Sequence, residues 1–270
     1  MNRKNVDLGT GPVGKLLFSL ALPTITSQIV NMLYNLVDRV YIGHMQPVET
    51  VGKLALTGVG VCLPVIMVIS AFAALVGMGG APRASIEEGR GNISESERIM
   101  GNCFTLLIVI SVVLTVFFQF FSEPLLLIFG ASEATIGYAM DYMRIYCLGT
   151  LFVQLTLGMN AYITAQGFTT VGMKTVLIGA GLNTVLDPIF IFAFDMGVQG
   201  AALATILSQA VSAAWVLRFL TSSRTKWHLR KQYLRPRRKV VLPCLALGLS
   251  PFIMQSTESL IAICFNASLL

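Results

Sequence analysis

An all-α polytopic membrane protein is the fold class this sequence predicts, and three observations predict it. The first is composition. Of 270 residues, 55% are hydrophobic and 12% charged, with a mean hydropathy of +0.75, whereas a soluble domain carries about 25% charged residues. So little polar surface cannot cover a water-facing globule, and disordered chains and disulfide-rich secreted scaffolds are less apolar than this. The second is a series of long apolar stretches, each close to or above the roughly 20 residues a helix needs to cross a hydrocarbon core of about 30 Å. None alternates with the period of two expected of a membrane barrel strand. The third is where the charge falls. With a cytoplasmic N-terminus, every Lys and Arg except Arg39, Lys53 and Arg144 lies in an inside segment, which is 16 of the 19. That bias has one sign throughout.

Six spans are predicted at Leu16–Gly43, Leu54–Gly80, Cys103–Phe121, Ile136–Ile163, Thr175–Phe194 and Gly200–Leu220. A seventh opens near Val240 and is still apolar at Leu270. The chain therefore divides into a cytoplasmic N-terminus (1–15), a six-helix lobe (16–220), a basic linker (221–239) and the first helix of a further lobe (240–270). The first span begins after Lys15 like a signal peptide, but it is too long, contains Asp38 and lacks a small-residue cleavage site, so it is retained. Arg83 to Asn102 is polar and reads as a loop with a helix start at Ser94-Glu95-Ser96-Glu97. Glu123-Pro124 and Gly130-Ala131-Ser132-Glu133 mark a short connection, and Asp195-Met196-Gly197-Val198-Gln199-Gly200 a tight one. The basic run Arg224–Lys239 reads as a topology anchor near anionic headgroups rather than a nucleic-acid surface.

The first and seventh spans carry a weak internal repeat. Aligning Gln28 with Gln255 pairs Leu20 with Leu247, Leu22 with Leu249 and Leu33 with Leu260, with Pro23 and Pro251 one residue out of register. A unit that restarts after six crossings keeps its orientation, as in parallel-repeat transporters.

Chemistry is sought among acids at bilayer depth, since an ionised carboxylate there costs about 2.5–3.5 kcal/mol on insertion scales. These are Asp38, Asp187 and Glu258. Tyr34 and Asn31 lie one and two turns before Asp38 on the same face, in a stripe that reaches back to Gln28. Asn183 lies one turn before Asp187, and Pro188 disturbs the helix just after it. Carboxylates, amides, a phenol and hydroxyls suit a proton or a hard monovalent cation; the competing reading pairs Asp38 with Arg39. Enzyme constellations are missing. His44 and His228 fall on opposite sides of the membrane, the two aspartates lack the Tyr-Asp and Gly-x-Gly-Asp contexts of membrane aspartyl proteases, and neither GxSxG nor a P-loop occurs. The five cysteines lack CxxC spacing and read as buried free thiols. Glycines 77, 79 and 80, with 172, 179, 181, 197 and 200, serve close helix packing or act as hinges.

One resemblance spans most of the chain. Leu20-Ala21-Leu22-Pro23 through Gln28, then Leu33-Tyr34-Asn35-Leu36-Val37-Asp38 and Tyr41-Ile42-Gly43-His44, resemble the first helix of the multidrug and toxic compound extrusion (MATE) family. Leu182-Asn183-Thr184-Val185-Leu186-Asp187-Pro188-Ile189-Phe190-Ile191-Phe192, followed by Met196-Gly197-Val198-Gln199-Gly200-Ala201-Ala202, is similar to its fifth helix and the start of its sixth. Ala165-Gln166-Gly167 is similar to the loop after the fourth.

The resemblance implies an H⁺- or Na⁺-coupled antiporter of the cell membrane, with two six-helix lobes around a cleft, that exports small organic, often cationic, drugs. It implies no cofactor beyond the coupling ion, and no nucleic-acid partner. It assigns Asp38, Asp187, Asn183, Thr205 and Tyr34 to a cation site, with Na⁺ held by Asp38, Asn183, Asp187 and Thr205. Tyr142, Asn160, Asn31, Gln28 and Glu258 become candidates for the cation or drug cleft. Family chains have about twice as many spans, so a missing C-terminal lobe or a second chain would complete the cleft. Two other readings remain: a lipid-linked saccharide flippase of the same superfamily, which would line its cleft with cations, and a non-transporting assembly subunit.

Overall fold

The protein is described from a computed structural model, which covers residues 13–268. Eight helices follow in order: α1 (Val13–Gly43), α2 (Lys53–Gly89), α3 (Ile93–Ile128), α4 (Ile136–Leu148), α5 (Thr150–Ala165), α6 (Thr169–Pro188), α7 (Gly197–Leu220) and α8 (Arg238–Ser268). Among the described residues there is no strand. Six of these helices are long and apolar enough to cross a membrane, and α4 with α5 makes a seventh, bent span. The all-helical membrane expectation therefore holds.

Helix α2 is the spine, packed against α8, α5, α3 and α4. Its buried face is built from small residues, among them Ala71, Ala73, Ala74, Gly77, Gly79, Gly80 and Ala81. Lipid gives no hydrophobic drive for one helix to seek another, so close backbone contact has to supply the attraction. At the α2–α8 crossing this is extreme: a Cβ on Gly248 would overlap the Leu75 carbonyl, and one on Gly79 would overlap the Cys244 carbonyl. Large apolar side chains point outward instead, as Phe120 and Leu242 do. Helix α1 lies mainly against α6, with lesser contacts to α2 and α7. Its hydroxyls fold back on their own helix, Thr24 onto the Leu20 carbonyl at 2.9 Å and Ser27 onto the Pro23 carbonyl at 2.8 Å, which removes polar hydrogens from an apolar surrounding.

Several boundaries differ from the sequence reading. Residues 83–102 are not a loop: α2 runs to Gly89, α3 begins at Ile93, and the turn between them is three residues with Gly91 at φ 82°. Charges there sit at the turn and the adjoining helix ends, where they pair three residues apart, Arg90 with Glu87 at 2.8 Å and Arg98 with Glu95 at 2.7 Å. The Ser96 hydroxyl donates to the Ala84 carbonyl at 2.7 Å and ties the hairpin. Glu123-Pro124 does not end the third span, because α3 continues through Pro124 to Ile128 and turns at Gly130. The fourth span, read as continuous from Ile136 to Ile163, bends by 58° between α4 and α5. At the bend, the Ile206 side chain of α7 fills the space that a Cβ on Gly149 would take.

The basic linker, read from sequence as a charge anchor, is held by specific hydrogen bonds. The Gln166 amide oxygen accepts from the Thr225 hydroxyl at 2.7 Å, the Lys226 N–H at 2.8 Å and the Trp227 N–H at 3.0 Å. Trp227 is fully buried. Glu97 accepts from the His228 N–H at 3.0 Å and pairs with Arg230 at 2.9 Å. Asn102 accepts from the Arg237 N–H at 2.6 Å. The linker is thus fastened to the ends of α2, α3 and α5 along its length.

Candidate functional site

Four helices meet where α6 ends. Asp187 is fully buried in the last turn of α6, and Pro188 follows, after which the chain takes one π-helical turn, Ile189–Ala193. From α1, Asp38 reaches the same place, 9% exposed, with its carboxyl beside that of Asp187. An edge contact between Tyr41 and Phe192, with centroids 6.3 Å apart, holds the end of α1 against the π turn.

Asn183 joins the helices. Its Nδ2 donates to Asp187 Oδ1 at 3.0 Å and to the Thr205 hydroxyl of α7 at 3.4 Å. The Thr205 hydroxyl in turn meets the phenol of Tyr142 from α4, which is 4% exposed. Tyr146, one turn on, stacks on Tyr142 with centroids 5.8 Å apart and planes 16° apart. Tyr34 lines the neighbouring crevice and sits close to both acids. The sequence reading named Asp38, Asp187, Asn183, Thr205, Tyr34 and Tyr142, and the structure brings these six together. The sequence reading passed over Tyr146, whose signal was its spacing of four from Tyr142.

Three buried oxygens at this junction have no protein partner: Asp38 Oδ1, Asp187 Oδ2 and Asn183 Oδ1. Two carboxylates this close cannot both stay ionised without a proton or a cation between them. Hydroxyl, amide and carboxylate oxygens are the hard donors that an alkali cation takes. Among the described residues no three His, Cys, Asp or Glu side chains gather, so the set is carboxylate pair plus neutral oxygens.

The other candidates fall elsewhere. Asn160 is not at the acid pair. Its Nδ2 donates to the Gly172 carbonyl at 3.4 Å, and Gly172 lies about 22 Å along α6 from Asp187 at 1.5 Å per residue. Glu258 is exposed on α8, a helix packed on α2 rather than on α1 or α6. Gln28 and Asn31 are both exposed, and Asn31 alone lines the crevice beside Tyr34. Arg39, read as a possible partner of Asp38, is exposed while Asp38 is buried.

Comparison with known proteins agrees on one family. The MatE family profile matches residues 23–189. The multidrug export protein MepA of Staphylococcus aureus (strain NCTC 8325 / PS 47) is 27% identical over 248 residues, covering 90% of this chain and 53% of MepA. Among solved structures, the MATE multidrug transporter DinF-BH is 34% identical with a TM-score of 0.89, over 100% of this chain and 59% of that one. A MOP superfamily transporter from Pyrococcus furiosus is 27% identical with a TM-score of 0.84, over 94% and 55%. The chain spans about half the length of the curated relatives it matches.

Proposed function

The chain belongs to the MatE family of multi-pass membrane transporters, and on that premise we propose that it forms the ion-binding lobe of a cation-coupled antiporter that exports small organic cations. The observation that carries this reading is the buried Asp38–Asp187 pair with three oxygens awaiting a partner. Asp38 and Asp187 bind H⁺ or Na⁺, and Asn183 and Thr205 supply neutral oxygens. Tyr34 and Tyr142 wall the site with their rings and keep bulk water from screening it. The two acids sit on different helices, so ion occupancy decides whether α1 and α6 attract or repel at this point. A bound cation favours their approach; its loss leaves two like charges that push them apart. That difference in ion affinity between two packings drives the exchange.

The N-terminus and the basic linker face the cytoplasm in this reading, which the Lys and Arg distribution supports. Nothing at the site favours a pyrophosphate-bearing substrate: the two cationic side chains within the predicted spans, Arg39 and Arg144, do not line the crevice beside the acids.

Binding to the purified chain tests the site. Wild type is expected to bind Na⁺, or to release a proton on Na⁺ addition, and both Asp38→Asn and Asp187→Asn to weaken this at least tenfold. In membrane vesicles, efflux of a fluorescent organic cation should lose its dependence on the ion gradient in the same variants. Ion binding that both variants leave unchanged would overturn the assignment.

A further inference from the structure

The buried cysteines fall into two pairs, each joining different helices. Cys62 of α2 lies near Cys147 of α4, and Cys103 of α3 lies beside Cys244 of α8. All four are fully buried, but their surroundings differ. The Cys62 thiol is shared between the Gly58 and Ala139 carbonyls, each at 3.4 Å, as befits a small packed side chain. The second pair has a charge and an unpaired hydroxyl beside it. Arg83 of α2 is half-buried; its Nη1 donates to the Val240 carbonyl at 3.3 Å and lies 4.0 Å from Cys244 Sγ. The Tyr162 hydroxyl of α5 is buried without a partner beside Cys103. A Cβ on Gly80 would overlap that hydroxyl and come within 2.8 Å of Cys103 Sγ, so glycine leaves both groups their room.

Packing alone does not call for such company. Thiolate is the attacking form of cysteine, and reactive cysteines sit beside cationic side chains; Arg83 is that neighbour for Cys244. The Tyr162 hydroxyl is placed to hydrogen-bond an incoming oxygen. Cys244 lies about 9 Å along α8 from its start at Arg238, which puts the pair near the linker end, where half-buried Arg83 marks the way in from solvent. Hydrogen peroxide is neutral and little larger than water, so it suits so narrow an approach.

We propose that Cys103 and Cys244 are an oxidisable dithiol, which a peroxide converts to a disulfide stapling α3 to α8. The Cys244 thiolate attacks one peroxide oxygen: the S–O bond forms, the O–O bond breaks, and the released hydroxide takes up the thiol's proton as water. The Cys103 sulfur then attacks the sulfenic sulfur. The S–S bond forms, the S–O bond breaks, and the hydroxyl leaves with the Cys103 proton as a second water. The two sulfurs together give up two electrons, and the peroxide is reduced. Helix α8 otherwise meets α2 through close backbone contact at Gly79 and Gly248 and through the Arg83 bond. Oxidation adds a covalent tie across that seam, and a dithiol reductant releases it. The acid pair plays no part in this inference, which stands apart from the cation-site reading.

Peptide mapping of the full chain after hydrogen peroxide treatment tests this, in a Cys264→Ser background because Cys264 is the exposed thiol. After denaturation, blocking of remaining thiols and trypsin, the peptide beginning at Ile99 carries Cys103 and the one beginning at Val240 carries Cys244. These two are expected to be joined, and dithiothreitol to part them. In the same sample the 103–244 link should form at least tenfold faster than one between Cys62 and Cys147. Arg83→Gln should slow it about tenfold and Arg83→Lys restore most of the rate, a dependence on charge that a packing role would not show. In Cys103→Ala, dimedone should trap a sulfenic acid at Cys244; in Cys244→Ala it should label Cys103 at least tenfold less. The comparison of the two native pairs needs neither variant, which guards against one failing to fold. No joined peptide in excess peroxide, equal linkage at both pairs, or indifference to Arg83→Gln would overturn the proposal.

Discussion

Asn183 holds the site together because a single amide donates to a carboxylate on its own helix and to a hydroxyl on the next. Replacing it with Leu removes both bonds and leaves Asp187 Oδ1 without its donor at 3.0 Å. A buried group so orphaned costs about 1–3 kcal/mol, so Asn183→Leu is expected to weaken Na⁺ binding by roughly five- to hundredfold in a titration of the purified chain. Thr205→Val keeps the shape and removes one hydroxyl. The expected loss is smaller, about 1 kcal/mol or roughly fivefold. If Thr205→Val proves as damaging as Asn183→Leu, the hydroxyl is a direct ligand of greater weight than one hydrogen bond. Asp38, Asp187 and Asn183 were legible in sequence because an acid or amide inside an apolar run is costly and conspicuous. Tyr142 was reached through family resemblance alone, since a phenol in an apolar helix is unremarkable by itself.

At the scale of elements, two devices set the geometry. The bend between α4 and α5 lets α4 bring Tyr142 to Thr205 while α5 leans on α2, and Ile206 packs into its corner. Gly149→Val would collide with that side chain, and overpacking of this kind costs about 1–3 kcal/mol. The variant is expected to unfold at a lower temperature in detergent, a change that Ile206→Ala added to it should partly reverse. The second device is the linker clamp at Gln166. Gln166→Leu deletes an acceptor shared by three donors and unseats the buried Trp227. Limited proteolysis after Lys226 or Arg230 should then speed up about tenfold, with helix content by circular dichroism unchanged. The bend escaped the sequence reading because Leu148-Gly149-Thr150 lies inside an apolar run, where glycine also serves plain packing. The clamp escaped it because Gln166 and Trp227 are 61 residues apart in the chain.

Across the whole molecule, charge asymmetry gives the lobe an orientation that labelling can test. An impermeant maleimide is expected to label Glu133→Cys on intact cells but Arg90→Cys only after permeabilisation, both residues being exposed in turns at opposite ends of α3. The reverse pattern would invert the orientation. Membrane class, helical fold and the identity of the acids were determined by sequence alone, because apolar length, scarcity of charge and a carboxylate at bilayer depth are local properties with large energies. Only the tertiary structure decided which helix faces which. It extended α2 and α3 into a three-residue turn, bent the fourth span, left Glu258 exposed, and set Asn160 far from the acids. In lipid every face of a helix is apolar, so hydrophobic periodicity carries no register. Register comes from small-residue contacts such as Gly79 on Gly248 and from hydrogen bonds whose two ends lie on different helices, and such pairs exist only once the chain has folded.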